Sequence, residues 1–173
     1  MTDRRTADAG ARTPAGEPAD LLEILDRLPP RFGVGGQRRL AELGIDFLRL
    51  NACGTPRPAR VRTEGGLFTF DDTGPGMLIQ PVTDGPQASI FTGVSDPLVV
   101  DLLAYRPDVP ACWYLFRGES ALALGQEAIL EAATTGEPLR LFRTPLAWLA
   151  AGGDGAGVLD WRRWRGLLAG VER

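Results

Sequence analysis

The hydrophobic positions in the first part of the chain follow a helical period. In residues 21–28, leucine recurs at spacings of three and four residues, and Asp20 is placed to cap the first turn. Two prolines end this segment, and a glycine-rich turn follows. A second short helix is predicted over residues 37–43, with Gly44 as the residue that ends it. The pattern therefore predicts a helical hairpin within residues 20–50.

Between residues 60 and 117 the period changes to that of β-strands. Short apolar runs are separated by clusters of Gly, Pro, Asp and Thr, which are the residues that tight turns require. The regular spacing of these runs predicts an antiparallel, meander-like sheet. The six predicted strands cover residues 60–63, 67–70, 77–82, 88–92, 98–103 and 112–116.

The last third of the chain, residues 118–173, alternates between helix and strand signals. This alternation favours a parallel pair of strands on one edge of the sheet. The predicted elements are a helix over 126–133, a strand over 139–142, a helix capped by Thr144, a strand over 158–159, and a helix over 161–169 capped by Asp160. The fold class predicted is α+β, with a mainly antiparallel sheet, an N-terminal helical hairpin and a C-terminal α/β segment.

Composition separates a tail from this folded part. Residues 1–19 are rich in Ala, Gly, Pro and charge and have no hydrophobic period, so we expect a disordered tail before a single globular domain over residues 20–173. No apolar run is long enough to span a bilayer, and no signal peptide is recognisable. We therefore expect a soluble bacterial protein that remains in the cytoplasm, without a membrane partner.

The basic residues limit the chemistry that this chain can perform. It has no histidine, and all 19 basic residues are arginine. Nucleophiles activated by histidine, lysine Schiff bases and imidazole metal sites are therefore excluded. Two cysteines are too few for a thiolate zinc site, and Cys112 is predicted to be a core residue. We expect no metal and no cofactor, while carboxylate chemistry stays open.

Charge is unevenly distributed along the chain. Residues 27–62 contain eight arginines against Glu42 and Asp46, whereas residues 71–108 contain six aspartates against Arg106. The whole chain nevertheless carries a net charge of only −3. One interpretation is a self-complementary surface, and the other is a basic face for an anionic partner.

Residues 28–45 contain a Gly-Val-Gly-Gly turn between the two predicted helices. This segment resembles the helix-hairpin-helix motif of DNA repair and recombination proteins. The resemblance implies that backbone amides at the start of the second helix bind a phosphate, with nearby arginines adding charge. The alternative is an αα-hairpin that only packs its leucines on the sheet. The candidate nucleic-acid-binding residues are Arg31, Gly33, Gly35, Gly36, Arg38 and Arg39.

A second motif, Asp72-Thr73-Gly74, follows an apolar strand and resembles the active-site turn of aspartic proteases. The resemblance implies a catalytic carboxylate at Asp72 that shares a proton with a second one, contributed by another subunit. The alternative is a polar hairpin turn.

The last helix offers an interaction face formed by Trp161, Arg162, Trp164 and Arg165. Trp and Arg are favoured at protein interfaces, although the same pattern suits a helix that buries its tryptophans. Because so much catalytic chemistry is missing, we favour a non-catalytic protein that binds an unidentified protein partner. Nucleic-acid binding is the alternative, and an aspartic-type hydrolase at Asp72 is the remote one.

Overall fold

A computed structural model describes residues 20–30, 33–45, 54–84, 98–118 and 121–168. The described helices are α1 (Leu21–Arg27), α2 (Val34–Glu42), α3 (Gln126–Thr135), α4 (Pro145–Ala150) and α5 (Trp161–Leu168). The described strands are β1 (Arg57–Glu64), β2 (Leu67–Phe70), β3 (Gly76–Thr83), β4 (Val99–Tyr105), β5 (Trp113–Leu115), β6 (Ala123–Leu124), β7 (Leu141–Phe142) and β8 (Ala156–Val158). None of these helices is long and apolar enough to cross a membrane.

Five strands form a closed barrel in the order β1-β2-β5-β4-β3, with β3 pairing back to β1. The pairs are antiparallel except β2 and β5, which run parallel and meet at Leu67 and Leu115. The predicted α+β class with a mostly antiparallel sheet is therefore confirmed. The closure of this sheet into a barrel was not predicted, because it depends on the non-local pairing of β2 with β5.

Strand β1 has partners on both sides. Its second half pairs with β2 and its first half with β3, so the β2–β3 connection must pass over β1 near its middle. The crossing point is Val61, whose N–H donates to the carbonyl of Pro75. Gly74 lies so close above it that a Cβ atom would stand 2.1 Å from the Val61 carbonyl oxygen. Only glycine fits at this position without displacing β1.

The barrel interior is filled by side chains that alternate along each strand. Helix α1 packs Leu21 and Leu25 against them and so covers an opening of the barrel. The interior residues that are fully buried are Val61, Phe68, Ile79, Leu102 and Ala104.

The other faces of β3, β4 and β5 are covered by α2 and by the C-terminal part of the chain. This second core contains Leu40 of α2, Leu103 of β4 and Trp148 of α4, whose indole N–H donates to the Gly155 carbonyl over 2.8 Å. Strands β6, β8 and β7 form a separate three-stranded sheet beside it. Strands β7 and β8 run parallel there, so the predicted parallel pair exists but is not on an edge of the main sheet.

Two local predictions need correction, and two others fall outside the described residues. Helix α2 begins at Val34 rather than at residue 37, because glycine lowers helix stability by only about 1 kcal/mol and is tolerated in a first turn. Cys112 is exposed, because it lies in a turn that precedes β5. The predicted tail over 1–19 and the predicted strand over 88–92 lie outside the described residues.

Candidate binding groove

A groove of about 670 Å³ separates α1 from the rim of the barrel. Its lining is mostly apolar and includes three charged side chains. One wall comes from α1 and the residues that follow it, and the other from β1, the end of β2 and the start of β3. The lining residues are Ile24, Arg27, Leu28, Pro29, Pro58, Ala59, Arg60, Phe70, Asp72 and Gly76.

Helix α1 is capped at its start and is bound to β1 at its end. At the start, the Asp20 carboxylate accepts a hydrogen bond from the Leu22 N–H over 3.0 Å, as an N-cap residue does. At the other end, the Arg57 guanidinium of β1 donates to the carbonyls of Leu25 and Leu28 over 2.7 and 3.3 Å. Because these carbonyls end a helix, a cation there also interacts favourably with its dipole. Arg57 therefore holds one wall of the groove against the other.

The turn between β2 and β3 is organised by Asp71 rather than by Asp72. The Asp71 carboxylate accepts hydrogen bonds from the Thr73 hydroxyl and the Thr73 N–H over 2.6 and 2.8 Å. It also forms an ion pair with Arg62 over 3.0 Å. The hydrogen bonds from Thr73, with the charge of Arg62, hold the pKa of Asp71 below its ordinary value. Asp71 is thus occupied by the turn, which leaves Asp72 for other contacts.

Asp72 and Arg60 bring opposite charges to the groove, and neither has an oppositely charged partner among the described residues. Within the described part of the chain, no hydrogen bond or ion pair engages the exposed Asp72 carboxylate. Arg60 donates to the Gly74 carbonyl over 3.0 Å and has no carboxylate partner among the described residues. The third charged residue, Arg27, is already paired with Glu23 one turn earlier on α1.

The apolar part of the groove includes one aromatic residue, Phe70, at the end of β2. Its side chain is 37% exposed, although its ring packs on Phe68 and Phe116 with ring centres 5.5 and 5.7 Å apart. A preformed aromatic surface beside polar groups of fixed position is typical of ligand-binding sites. Asp72 is the only carboxylate among the described residues of this lining, so the described residues here do not form the carboxylate pair that an aspartic protease uses.

The predicted nucleic-acid site is only partly assembled within the described residues. Gly33 is the N-cap of α2, and Gly35 and Gly36 lie in its first helical turn. The N–H groups of Val34 and Gly35 have no intrahelical acceptor, and Val34 is 81% exposed. Among the described residues these two amides have no acceptor, and this end of α2 presents them to solvent.

The arginines of this predicted site are partly neutralised. Arg38 and Arg39 both contact the Glu42 carboxylate, over 3.4 and 3.0 Å. Arg31 lies outside the described residues. Helix α2 therefore offers less positive charge than its sequence suggests.

The predicted interaction face on α5 divides between the core and the surface. Trp164 is 3% exposed and Trp161 is half-buried, whereas Arg162 and Arg165 are exposed. The Asp160 carboxylate caps the helix by accepting from the N–H of Arg162 over 2.9 Å. Only the arginines of this set are thus fully available to a partner.

Sequence analysis did not find the groove as a unit, because its walls come from segments that are distant along the chain. Asp72 is the lining residue that the sequence indicated as a candidate site residue. Among the described residues, no group of His, Cys, Asp or Glu is arranged to hold a metal ion. Comparison with protein-family models, curated protein sequences and solved structures finds no match.

Proposed function

We propose that this chain is a non-catalytic binding protein and that the groove between α1 and the barrel rim is its binding site. The observation that carries the proposal is the juxtaposition of an apolar lining with the charges of Arg60 and Asp72, which have no oppositely charged partner among the described residues. Pockets of 300–1,000 Å³ with a few placed polar groups are the usual ligand sites of proteins, and barrel mouths are among their common locations. The proposed location of the protein is the cytoplasm.

The residues available favour binding over catalysis. The chain has neither histidine nor lysine, so a side-chain general base would have to be a carboxylate, a cysteine or a tyrosine. In the groove, Asp72 is exposed and has no second carboxylate beside it among the described lining residues. A single solvated carboxylate can accept a hydrogen bond from a ligand but is weakly suited to activating water.

Two substitutions at Gly76, one large and one small, test whether ligands bind in the groove. A Cβ at this position would meet no atom within 4 Å, and Gly76 begins β3 at the groove lining. Gly76→Phe should therefore fill part of the groove while the barrel stays intact, and Gly76→Ala should leave the groove open. The probe is anilinonaphthalene sulfonate, which combines an apolar body with an anionic group that Arg60 can bind.

We expect the wild-type protein and Gly76→Ala to bind the probe equally. Gly76→Phe should bind it about tenfold more weakly, which corresponds to about 1.4 kcal/mol. Far-ultraviolet circular dichroism must show that the three proteins share one fold. Equal binding by all three proteins would overturn the proposal, and so would the absence of binding.

Sequence-independent nucleic-acid binding is the second candidate, because the exposed N-terminus of α2 presents two amides that lack an acceptor among the described residues, about one turn before Arg38. Fluorescence anisotropy with a labelled DNA duplex at two salt concentrations tests it. The candidate requires binding at low salt that weakens as salt rises and weakens further in Arg38→Glu. Binding that ignores salt, or no binding at low salt, eliminates it.

Hydrolysis by an aspartic-type mechanism is the remote candidate, and it requires Asp72 from two copies of the chain. It predicts that the protein cleaves an unfolded casein substrate at acid pH and that Asp72→Asn abolishes the cleavage. If the wild type does not cleave, or if Asp72→Asn cleaves equally well, this candidate is excluded.

A further inference from the structure

We infer that the occupant of the groove is an extended segment of a partner protein, in which a large apolar side chain lies next to an acidic residue. The inference rests on the proposed function, because it names the ligand class of the same site. Three observations support it: the shape of the groove, the charge on its rim, and the composition of the chain's own N-terminal segment.

The shape of the groove favours a peptide over a small molecule. Sites for small molecules bury most of the ligand surface, whereas this groove is open to solvent between α1 and the barrel rim. An extended peptide compensates for one-sided burial by contacting a long surface, and it fixes its position through one apolar anchor. Phe70, Ile24 and Pro58 provide an apolar surface for such an anchor.

The charge on the rim defines what should flank the anchor. Arg60 contacts one backbone carbonyl and has no carboxylate partner among the described residues. Its remaining N–H groups can donate two parallel hydrogen bonds to a carboxylate, which is the arrangement that guanidinium groups favour. Asp72 carries the opposite charge and can accept a hydrogen bond from a backbone N–H of the same segment. One acidic side chain and one backbone amide would satisfy both groups.

The segment before α1 has the wrong composition to be this occupant. Residues 1–19 contain no Leu, Ile, Val, Phe, Tyr or Trp. They therefore offer only Met1 as a large apolar anchor, together with small alanines and prolines. Apart from Met1, these residues hold no anchor of the size of Phe or Leu, so the proposed occupant is a segment of a partner protein rather than residues 1–19.

The experiment pans a phage-displayed library of random dodecapeptides on the full-length protein. Selected peptides are then synthesised with a fluorescein label, and their affinities are measured by fluorescence anisotropy. The variants are Arg60→Glu and Gly76→Phe, and the matched control is Arg143→Glu, an exposed charge reversal on a residue outside the groove lining. Each selected peptide is also made with lysine in place of its acidic residue, and decanoate serves as the small-molecule probe.

We expect enrichment of peptides that combine an acidic residue with Phe, Leu or Trp. Arg60→Glu and Gly76→Phe should each weaken their binding about tenfold or more, while Arg143→Glu should bind as the wild type does. Arg60→Glu should also prefer the lysine form of the peptide, which is a change of selectivity that misfolding cannot produce.

Binding is assigned to the groove when Gly76→Phe weakens it. The inference would be overturned, and the proposed function would still stand, if the peptides that bind in the groove contain no acidic residue. The same holds if decanoate binds in the groove and no peptide does. Peptides that bind equally to Gly76→Phe would overturn the inference by locating their site elsewhere. If Gly76→Phe does not weaken the binding of any peptide, of decanoate or of anilinonaphthalene sulfonate, the inference and the proposed function both fail.

Discussion

At the scale of single residues, two glycines between β2 and β3 differ in whether a side chain fits at their positions. A Cβ on Gly74 would overlap the carbonyl of Val61, whereas a Cβ on Gly76 would meet open space. We therefore expect Gly74→Ala to lower the free energy of unfolding by about 2–3 kcal/mol, the cost of overpacking against backbone that cannot move freely. Gly76→Ala is the matched control and should change it by less than about 0.5 kcal/mol. Urea denaturation measures both, and equal effects would contradict the crossing of β1 described here.

The same turn should show a defined response to acid. The hydrogen bonds from Thr73 and the charge of Arg62 keep the pKa of Asp71 below the ordinary aspartate value of 3.8. The unfolded chain therefore takes up this proton first as pH falls. The stabilisation is complete above pH 3.8 and is lost as pH falls through the lower pKa of the folded state.

Thr73→Val tests this response because it removes the hydroxyl while keeping the backbone N–H. The pKa of Asp71, followed by carbon-13 NMR of its carboxyl group, should rise towards 3.8 in the variant. The difference in unfolding free energy between the two proteins should narrow as pH falls below that value. An Asp71 that already titrates at 3.8 in the wild type would contradict the hydrogen bonding of this turn.

At the scale of elements, helix α1 depends on a residue of β1. The Arg57 guanidinium is only 26% exposed and donates to two carbonyls at the end of α1. We expect Arg57→Leu to lower the free energy of unfolding by about 1–2 kcal/mol, since these are hydrogen bonds from a charged donor. The α1 amides should exchange with solvent faster, and binding in the groove should weaken because one wall is less firmly held.

Arg62→Leu is the control for this substitution, because it lies on the same strand and pairs with Asp71 rather than with α1. Hydrogen exchange of the α1 amides should match the wild type in that variant. If Arg57→Leu leaves α1 as protected as Arg62→Leu does, the helix is held by Leu21 and Leu25 alone.

Elements whose signals are local could be predicted from the sequence. Strand β2 has its predicted bounds, and Thr144 and Asp160 cap α4 and α5 as expected. The barrel closure and the groove could not be predicted, because both depend on contacts between segments that are distant along the chain. The Asp72-Thr73-Gly74 motif illustrates the difference. Its residue types predict a turn, but the ion pair of Asp71 and the close approach of Gly74 depend on Arg62 and Val61 of the neighbouring strand.

At the scale of the whole molecule, a buried carboxylate on β4 binds the segment through which the chain leaves the barrel for its C-terminal part. Asp101 is fully buried, and its two oxygens accept from the N–H groups of Leu102, Arg117 and Gly118 over 2.7, 2.9 and 2.7 Å. The latter two residues are where the chain leaves β5 for the C-terminal part. Asp101 therefore fixes the direction in which the chain leaves the barrel.

Asp101→Asn keeps the volume of the side chain but replaces one acceptor oxygen by an NH2 group that faces a backbone donor. We expect a loss of about 3 kcal/mol in the free energy of unfolding, because a buried donor is left unsatisfied and the charge-assisted bonds are lost. Asp108→Asn is the control, since it removes an exposed carboxylate whose ion pair is with the exposed Arg106, and its urea midpoint should match the wild type. Limited proteolysis should cut Asp101→Asn first near Gly118, where the connection has lost its anchor. If the two variants unfold at the same urea concentration, the C-terminal part is held by the shared core around Leu103 and Trp148, and the buried carboxylate does not determine how the two parts join.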